Sequence, residues 1–308
     1  MKNKDLTVII LSHNTKNITD ECLKRVKVAS EYCEKVLKNR VETIVVDNAS
    51  IDKSTDLIRA KYPWVNLLAQ KENVGFAKGN NIGASFAKGE FILLLNSDAF
   101  LEKDTLSKAI QYLSSRPLCE VLQIKFKNAD GSFQPVGGYL PTPIKTIFWL
   151  LGFENLPLIK NIIHPIYIYN RKYFEKERRL EWSSAAFFLM RKKVYDVTHG
   201  FDERYFLYME DVDLCKKIRN KGFQIIYTPD ISIVHLSGAS SKKEEEENKL
   251  IHQLKGLLLY HKIHYPKSFA LIKRIVIFGV FIRTLFYLII GNIKIAKSYF
   301  NSGRFLLY

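Results

Sequence analysis

The first 126 residues alternate between two hydrophobic periods, and this alternation limits the possible folds more than any other feature of the chain. Short apolar runs recur at Thr7 to Leu11 (TVIIL), Glu42 to Asp47 (ETIVVD), Val65 to Ala69 (VNLLA), Phe91 to Leu95 (FILLL) and Val121 to Phe126 (VLQIKF). Each run is continuous rather than alternating, the pattern of a strand covered on both faces. Stretches with helical spacing lie between them, over 18–37, 54–61, 76–87 and 103–114; in the first, Leu23, Val26 and Ser30 share a face. Strand and helix repeated in this way predict an α/β fold, a mostly parallel central sheet flanked by helices and joined by right-handed crossovers. Ligands of such sheets sit beyond the carboxyl ends of the strands. That edge carries His13, Asn14 and Thr15, then Asp47 and Asn48, Gln70 and Lys71, and finally Asn96, Ser97 and Asp98.

Residues 128–177 are richer in Gly, Pro and aromatics and have little periodicity, which predicts an irregular, partly mobile segment. Regular structure is expected to resume with a strand over 184–190, a helix starting near Asp211, and strands over 224–228 and 232–236. A solvated charge run, 242–247, then separates this body from the C-terminal segment. No internal repeat is present.

The net charge of +16 is unevenly spread. Ten Lys or Arg and no Asp or Glu fall between Lys249 and Tyr308, so most of the excess belongs to the last 60 residues. There the longest charge-free apolar runs are 275–282 and 284–293, each short of the roughly 20 residues a bilayer span needs, with Arg283 between them. A basic, strongly apolar helix without acids suits the interface of an anionic membrane, and the alternative is a helix packed on the rest of the chain. The aliphatic density and the lack of recognition motifs argue against nucleic acid as the partner. Cys22, Cys33, Cys119 and Cys215 have neither C-x-x-C nor metal spacing and read as small buried apolar groups. Together with an N-terminus that lacks a signal-peptide core, they favour a reducing cytoplasm.

Two groups of residues carry chemistry. Gly75, Gly79 and Gly83 recur every fourth residue, which is helix-face spacing and not a dinucleotide fingerprint, so a Rossmann oxidoreductase is disfavoured. Asp98, directly after a buried strand, is a carboxylate at the ligand edge. Hard cations such as Mg²⁺ or Mn²⁺ bind through one or two carboxylates plus substrate phosphates. The second group is GFDERYFLYMEDVDLC, Gly200 to Cys215. Asp213 suits the first turn of a helix and reads as structural. Tyr205, Phe206, Tyr208 and Met209 before Glu210 and Asp211 form an apolar wall that raises the basicity of a carboxylate, as a general base requires. His235, in SIVHL, is taken alone more often a core or surface histidine than a ligand.

Residues 6 to 240 resemble the family 2 glycosyltransferases of GT-A fold, especially the rhamnosyltransferase-like branch that makes cell-wall and surface polysaccharides. VIILSHN (Val8 to Asn14), VVDNASIDKS (Val45 to Ser54), NVGFAKGNNIGASFAKGEFILLLNSDA (Asn73 to Ala99) and GFDERYFLYMEDVDLCKKIRNKGFQIIYTPDISIVH (Gly200 to His235) carry the likeness, in family order. The resemblance implies that Ser12, Asn14, Asp47 and Asn48 line the nucleoside pocket, and that Asn73, Gly75 and Asn80 lie near the donor's sugar and ribose. It sets Asn96-Ser97-Asp98 at the family's D-x-D-like metal motif. Asn replaces the first acid there, so Asn96 falls to donor binding and Asp98 carries the metal. Glu210 and Asp211 match the catalytic acid pair, with Asp211 the base, and His235 matches a histidine that completes the metal site. After Trp182 the chain has Ser183-Ser184-Ala185 where the family often has Gly, a departure on the acceptor side.

The expected organisation is thus a GT-A catalytic domain over 1–241, with a donor half (about 1–127) and an acceptor half (about 128–241), and an amphipathic helical tail over 242–308. The implied activity is inverting, metal-dependent transfer from a dTDP- or UDP-linked sugar to a glycan or lipid-linked acceptor, on the inner face of the cell membrane. The alternatives are a nucleotidyltransferase on a similar sheet and a non-catalytic, membrane-bound partner of a transferase. The first would need phosphate-binding cations near the first loop, where 13–16 supply only Lys16.

Overall fold

The continuous apolar runs form strands, as they predict. The computed structural model describes residues 4–150, 166–237 and 246–307. Its first half follows the expected order: β1 (Lys4–Ser12), α1 (Lys16–Leu37), β2 (Val41–Asp47), α2 (Ser54–Lys61), β3 (Asn66–Ala69), α3 (Phe76–Phe86), β4 (Gly89–Asn96), a short β5 (Ala99–Leu101), α4 (Thr105–Ser114) and β6 (Val121–Lys127). β1 pairs in parallel with β2 on one side and β4 on the other, and β2 pairs in parallel with β3. Helix spacing at the glycines reflects close packing: a Cβ on Gly79 would lie 2.5 Å from Leu11, and one on Gly83 2.5 Å from Ile9. All four cysteines are buried and unpaired.

The second half departs from a simple parallel sheet. It contains β7 (Phe133–Gln134), β8 (Gly137–Gly138), α5 (Pro143–Leu150), β9 (Arg178–Leu180), β10 (Trp182–Ser183), β11 (Phe187–Arg191), α6 (Lys192–Val197), α7 (Glu210–Asn220) and β12 (Ile225–His235). The sheet order is β3-β2-β1-β4-β11-β6-β12-β5, and β11 runs antiparallel to both neighbours, β4 and β6. Phe187 to Met190 are all buried, so this run needs cover on both faces and takes a central place. The sheet is therefore mixed, parallel in the half that precedes β5. The two strands expected over 224–236 are one, with an irregularity between Thr228 and Ser232, where Pro229 cannot donate to the ladder. β3 is an edge strand with exposed ends rather than one covered on both faces. The segment expected to be irregular contains α5, while 151–165 and most of the charge run at 242–247 lie outside the described residues.

Three helices close the chain: α8 (Glu246–His264), α9 (Phe269–Ile289) and α10 (Ile293–Leu307). Within the amphipathic helical tail expected over 242–308, α8 packs on the core. Leu254, Leu257 and Tyr260 are buried, His261 hydrogen-bonds Thr146 of α5 at 2.8 Å, and His264 Nε2 meets Asp213 Oδ1 of α7 at 2.7 Å. Arg283 of α9 turns inward, donating to the carbonyl oxygens of Trp149 and Leu150 at the end of α5 and to the Tyr299 hydroxyl. A guanidinium there complements the negative end of the helix dipole.

Leu254→Ala is expected to destabilise the protein by about 2–5 kcal/mol, the range for emptying a buried leucine site. Thermal unfolding of the full chain measures it. A change within about 0.5 kcal/mol, typical of a surface position, would contradict the packing of α8.

Candidate active site

Parallel pairing brings the carboxyl ends of the strands to one edge. Ser12 lies opposite Asp47 and Leu11 opposite Asn96. The loops beyond are joined by hydrogen bonds. Asn14, at a φ of +53°, donates its backbone N–H to the Ser50 hydroxyl and accepts from the Ile51 amide, and His13 Nδ1 lies 2.7 Å from the Asn48 carbonyl oxygen. Ser12 is fully buried, its hydroxyl in a cluster with Thr15 and Thr19. Asp47 is also buried; Oδ1 accepts from the Ser50 amide, while Oδ2 has no hydrogen-bond partner. A carboxylate oxygen left open at the ligand edge is suited to a donor such as a nucleobase N–H.

Asn48 ties this corner to the next loop. Its amide donates to Asn73 Oδ1 at 2.7 Å and to the Gly75 carbonyl oxygen, and its Oδ1 accepts from the Val74 amide. Gly75 has a φ of +85°, and a Cβ there would lie 2.6 Å from the Phe206 carbonyl oxygen, so only glycine fits. Asn80 is turned inward, donating to the Phe76 carbonyl oxygen of its own helix. Asn96 donates its backbone N–H to Ala186 and thereby joins β4 to β11.

Asp98 and His235 meet through a pairing too short to announce itself in sequence. β5 lies antiparallel to β12 with Ala99 opposite His235, and the Leu236 amide donates to the Asp98 carbonyl oxygen. His235 Nε2 is 3.3 Å from Asp98 Oδ1, a buried oxygen without a hydrogen bond. On the other side, His235 Nδ1 lies 2.7 Å from Gln134 Oε1, and the Gln134 amide donates to Asn128 Oδ1. With Nδ1 donating to Gln134, a neutral His235 turns its Nε2 lone pair to the Asp98 carboxylate, an arrangement in which both can ligate one cation, and Gln134 supplies the outer hydrogen bond that fixes an imidazole ligand. Among the described residues no third His, Cys, Asp or Glu joins this pair. Asp98 and His235 therefore fit a cation whose remaining ligands are water or phosphate oxygens, as Mg²⁺ and Mn²⁺ accept. Gln134 was missed in the sequence. Its signal was the Asp130-Gly131 turn, a hairpin dipeptide that pairs β7 with β6 and delivers Gln134 to His235.

Glu210 and Asp211 open α7. Burial raises the Glu210 carboxyl well above the usual range, and the neighbouring Asp211 charge adds to this. Burial also raises Asp211, to about 6, while the backbone amides of Val212 and Ala185 pull the other way. Burial thus raises both carboxyls of the pair, which increases their basicity as proton acceptors. Asp202 and Glu203 stand aside, held by Arg204 and Asn81. Asp213, read as structural, binds His264 and lies near Lys217.

Asp211 and His235 both line a cleft of about 380 Å³. Trp149, Tyr167, Tyr169, Trp182 and Tyr208 supply aromatic walls, and Ser184 and Gln253 supply polar groups. The departure after Trp182 lies here: β10 pairs with β8, where a Cβ on Gly137 would collide with the Trp182 carbonyl oxygen. None of the eight residues expected to bind the donor lines this cleft; they form the adjoining sheet edge. The arrangement is a carboxylate of raised pKa at an aromatic cleft, next to the Asp98–His235 pair and a polar strand edge.

The model of glycosyl transferase family 2 matches residues 7–195, more than half of the chain. The chain belongs to this family. It is a glycosyltransferase, similar to the N-acetylglucosaminyl-diphospho-decaprenol L-rhamnosyltransferase of Mycobacterium tuberculosis (23% identity over 232 residues, 69% of this chain and 72% of that one). It is also similar to the rhamnosyltransferase WbbL of Escherichia coli (21% over 238 residues, 74% and 82%). Among solved structures, a mannosyltransferase from Pyrobaculum calidifontis in complex with GDP-Man and Mn²⁺ shares the fold, with a TM-score of 0.55 at 16% identity, covering 98% of this chain and 74% of that one. The chain is thus a rhamnosyltransferase-like member of family 2 with the GT-A fold.

In this family 2 glycosyltransferase, Gln134→Leu is expected to weaken Mn²⁺ binding by about 10–100-fold, the usual effect of losing a hydrogen bond behind a metal ligand. Titration of Mn²⁺ against the intact protein measures it, and unchanged affinity would remove His235 from the cation site.

Proposed function

We propose that the enzyme transfers a sugar from a nucleotide diphosphate donor to an acceptor hydroxyl by a single displacement with inversion. The observation that carries this reading is the common cleft of Asp211 and His235, with Asp98 on its donor side. An acceptor in the aromatic cleft brings its hydroxyl to Asp211, which removes the proton as the oxygen bonds to the anomeric carbon. The bond from that carbon to the donor phosphate breaks, and its electrons leave with the nucleoside diphosphate. Attack from the side opposite the leaving group inverts the anomeric centre. Asp98 and His235 would hold Mg²⁺ or Mn²⁺, which when bound neutralises charge on the diphosphate. Asp47 and Asn48, with Ser12 and Asn14 shaping their loops, would receive the nucleoside, and Asn73, Gly75, Asn80 and Asn96 would border the ribose and sugar. Glu210, neutral, desolvates its neighbour.

The rhamnosyltransferase relatives support a dTDP- or UDP-linked deoxyhexose as donor and a glycan or lipid-linked acceptor, in the synthesis of cell-wall or surface polysaccharide. Helices α9 and α10 support attachment to the inner face of the cell membrane. Among the described residues no helix is long and apolar enough to cross a membrane. Yet α9 buries Ile272, Val276 and Val280 on one side and exposes Phe278, Phe281, Leu285 and Ile289 on the other. Arg274, Lys297 and Arg304 are exposed on the same two helices, which contain no acid. An apolar face with cations and no anions suits an anionic lipid surface.

Asp211→Asn should lower kcat by about a hundredfold or more while donor binding persists, whereas Glu210→Gln should cost far less. In the native enzyme kcat should fall as pH drops through about 6, where Asp211 gains a proton. Substantial turnover by Asp211→Asn would move the base to Glu210, and full activity in EDTA would remove the metal. For the membrane, Phe281→Asp with Leu285→Asp should abolish co-sedimentation with phosphatidylglycerol vesicles, and native binding should weaken as salt rises. Undiminished binding by the double variant would end that assignment.

A further inference from the structure

The base pair is presented by a backbone that does not hold its shape unaided. Tyr208 and Met209, directly before Glu210 and Asp211, have φ values of +69° and +72°, both in the left-handed region that side chains with a Cβ avoid. Two such residues in succession persist only where their surroundings dictate the conformation. On one side the support is the donor loop, whose Phe76 amide donates to the Phe206 carbonyl oxygen at 2.7 Å. On the other side it is α8. Gly256, in the middle of that helix, faces the turn: a Cβ there would lie 2.6 Å from the Tyr208 carbonyl oxygen and 3.0 Å from Met209. Gly256 has no positive φ, so its backbone does not require glycine. What glycine provides is the missing Cβ, and with it contact between the helix backbone and the turn. A second clamp lies two turns further along α8, where His264 Nε2 meets the buried Asp213 Oδ1 of α7 at 2.7 Å.

We propose that α8 is a positioning element of the active site: Gly256 and His264 hold the left-handed turn and the start of α7 so that Asp211 faces the cleft. This rests on the reading of Asp211 as the base. Neither residue touches the reacting atoms. Both act through the backbone that carries Asp211, and a base displaced by about 1 Å costs about a hundredfold in rate.

The test uses the full chain with Gly256→Ala, His264→Leu, His264→Gln, the exposed-site control Lys262→Ala, and Asp211→Asn alongside. Gly256→Ala should lower kcat by about 10- to 100-fold with donor affinity unchanged. The acid limb of its kcat profile should also move to lower pH, because a loosened turn admits water to Asp211 and relieves the burial that raises its pKa. The titratable neighbours Glu210, Asp213 and His235 are unaltered in that variant, so they do not supply the shift. His264→Leu should behave alike, His264→Gln should recover most of the loss by restoring a donor to Asp213, and Lys262→Ala should match the native enzyme. Should Gly256→Ala fail to fold, the His264 pair decides. A normal kcat in both Gly256→Ala and His264→Leu overturns the proposal, as does a lower kcat with an unmoved acid limb, which is loss of active protein alone. If Asp211→Asn itself turns over, the base assignment has failed; if it is inactive while the α8 variants are normal, only the positioning role has.

Discussion

The hydrogen bonds that set Ser12 opposite Asp47 and Leu11 opposite Asn96 decide where this molecule can act. Parallel pairing fixes both registers at once, so the loops after β1, β2 and β4 open at one edge; the His13 and Asn14 side chains join the first two, and Asn48 reaches on to Asn73 after β3. A slip of one residue along β1 would turn its buried face outward and disperse that corner. The antiparallel pairing of β5 with β12 meets the same edge from the other direction and delivers His235 to Asp98. The strand-end corner and the Asp98–His235 pair are thus built by two ladders that share the segment from Asn96 to Ala99.

Desolvation is the second lever. Asp47, Asp98 and Glu210 are all buried, and each keeps one carboxyl oxygen without a hydrogen bond. Buried acceptors without partners are uncommon because each carries a desolvation penalty. Asp47 and Asp98 leave such an oxygen at one edge of the sheet, where a hydrogen-bond donor or a cation would offset the cost, and Glu210 does so at the start of α7. Burial raises both Glu210 and Asp211, and Asp211 has backbone amides that offset part of the effect. Adjacent residues of nearly the same chemistry thus meet different surroundings where α7 begins.

The sequence displayed the strands of the first half and the helices between them, since a buried parallel strand has little freedom in composition. It also displayed Asp98, Glu210 and Asp211 through their places after a strand and an aromatic run. It did not display β11 between β4 and β6, because a central antiparallel strand and a central parallel one share the same continuous apolar pattern. Gln134 escaped for a different reason: its role comes from a two-residue strand and a partner about a hundred positions away. Helix α8 did not stand out from the basic C-terminal segment in sequence: it buries Leu254, Leu257, Tyr260 and His261 while Gln253, Lys255 and Lys262 stay exposed, a division that the charge of the whole segment masks.

The clamp on the turn before Glu210 has a consequence for how the enzyme comes into being. Translation supplies the parallel strands and their nucleotide-facing loops early, and N-terminal structure forms while later residues are still being added. Helix α8 is made after every wall it completes. A nascent chain at that stage has its donor edge in place but lacks one of the two supports of its base. Ribosomal order thus delays the support of that turn until α8 is made, and on the proposed mechanism a chain released earlier would bind a sugar nucleotide without a positioned base.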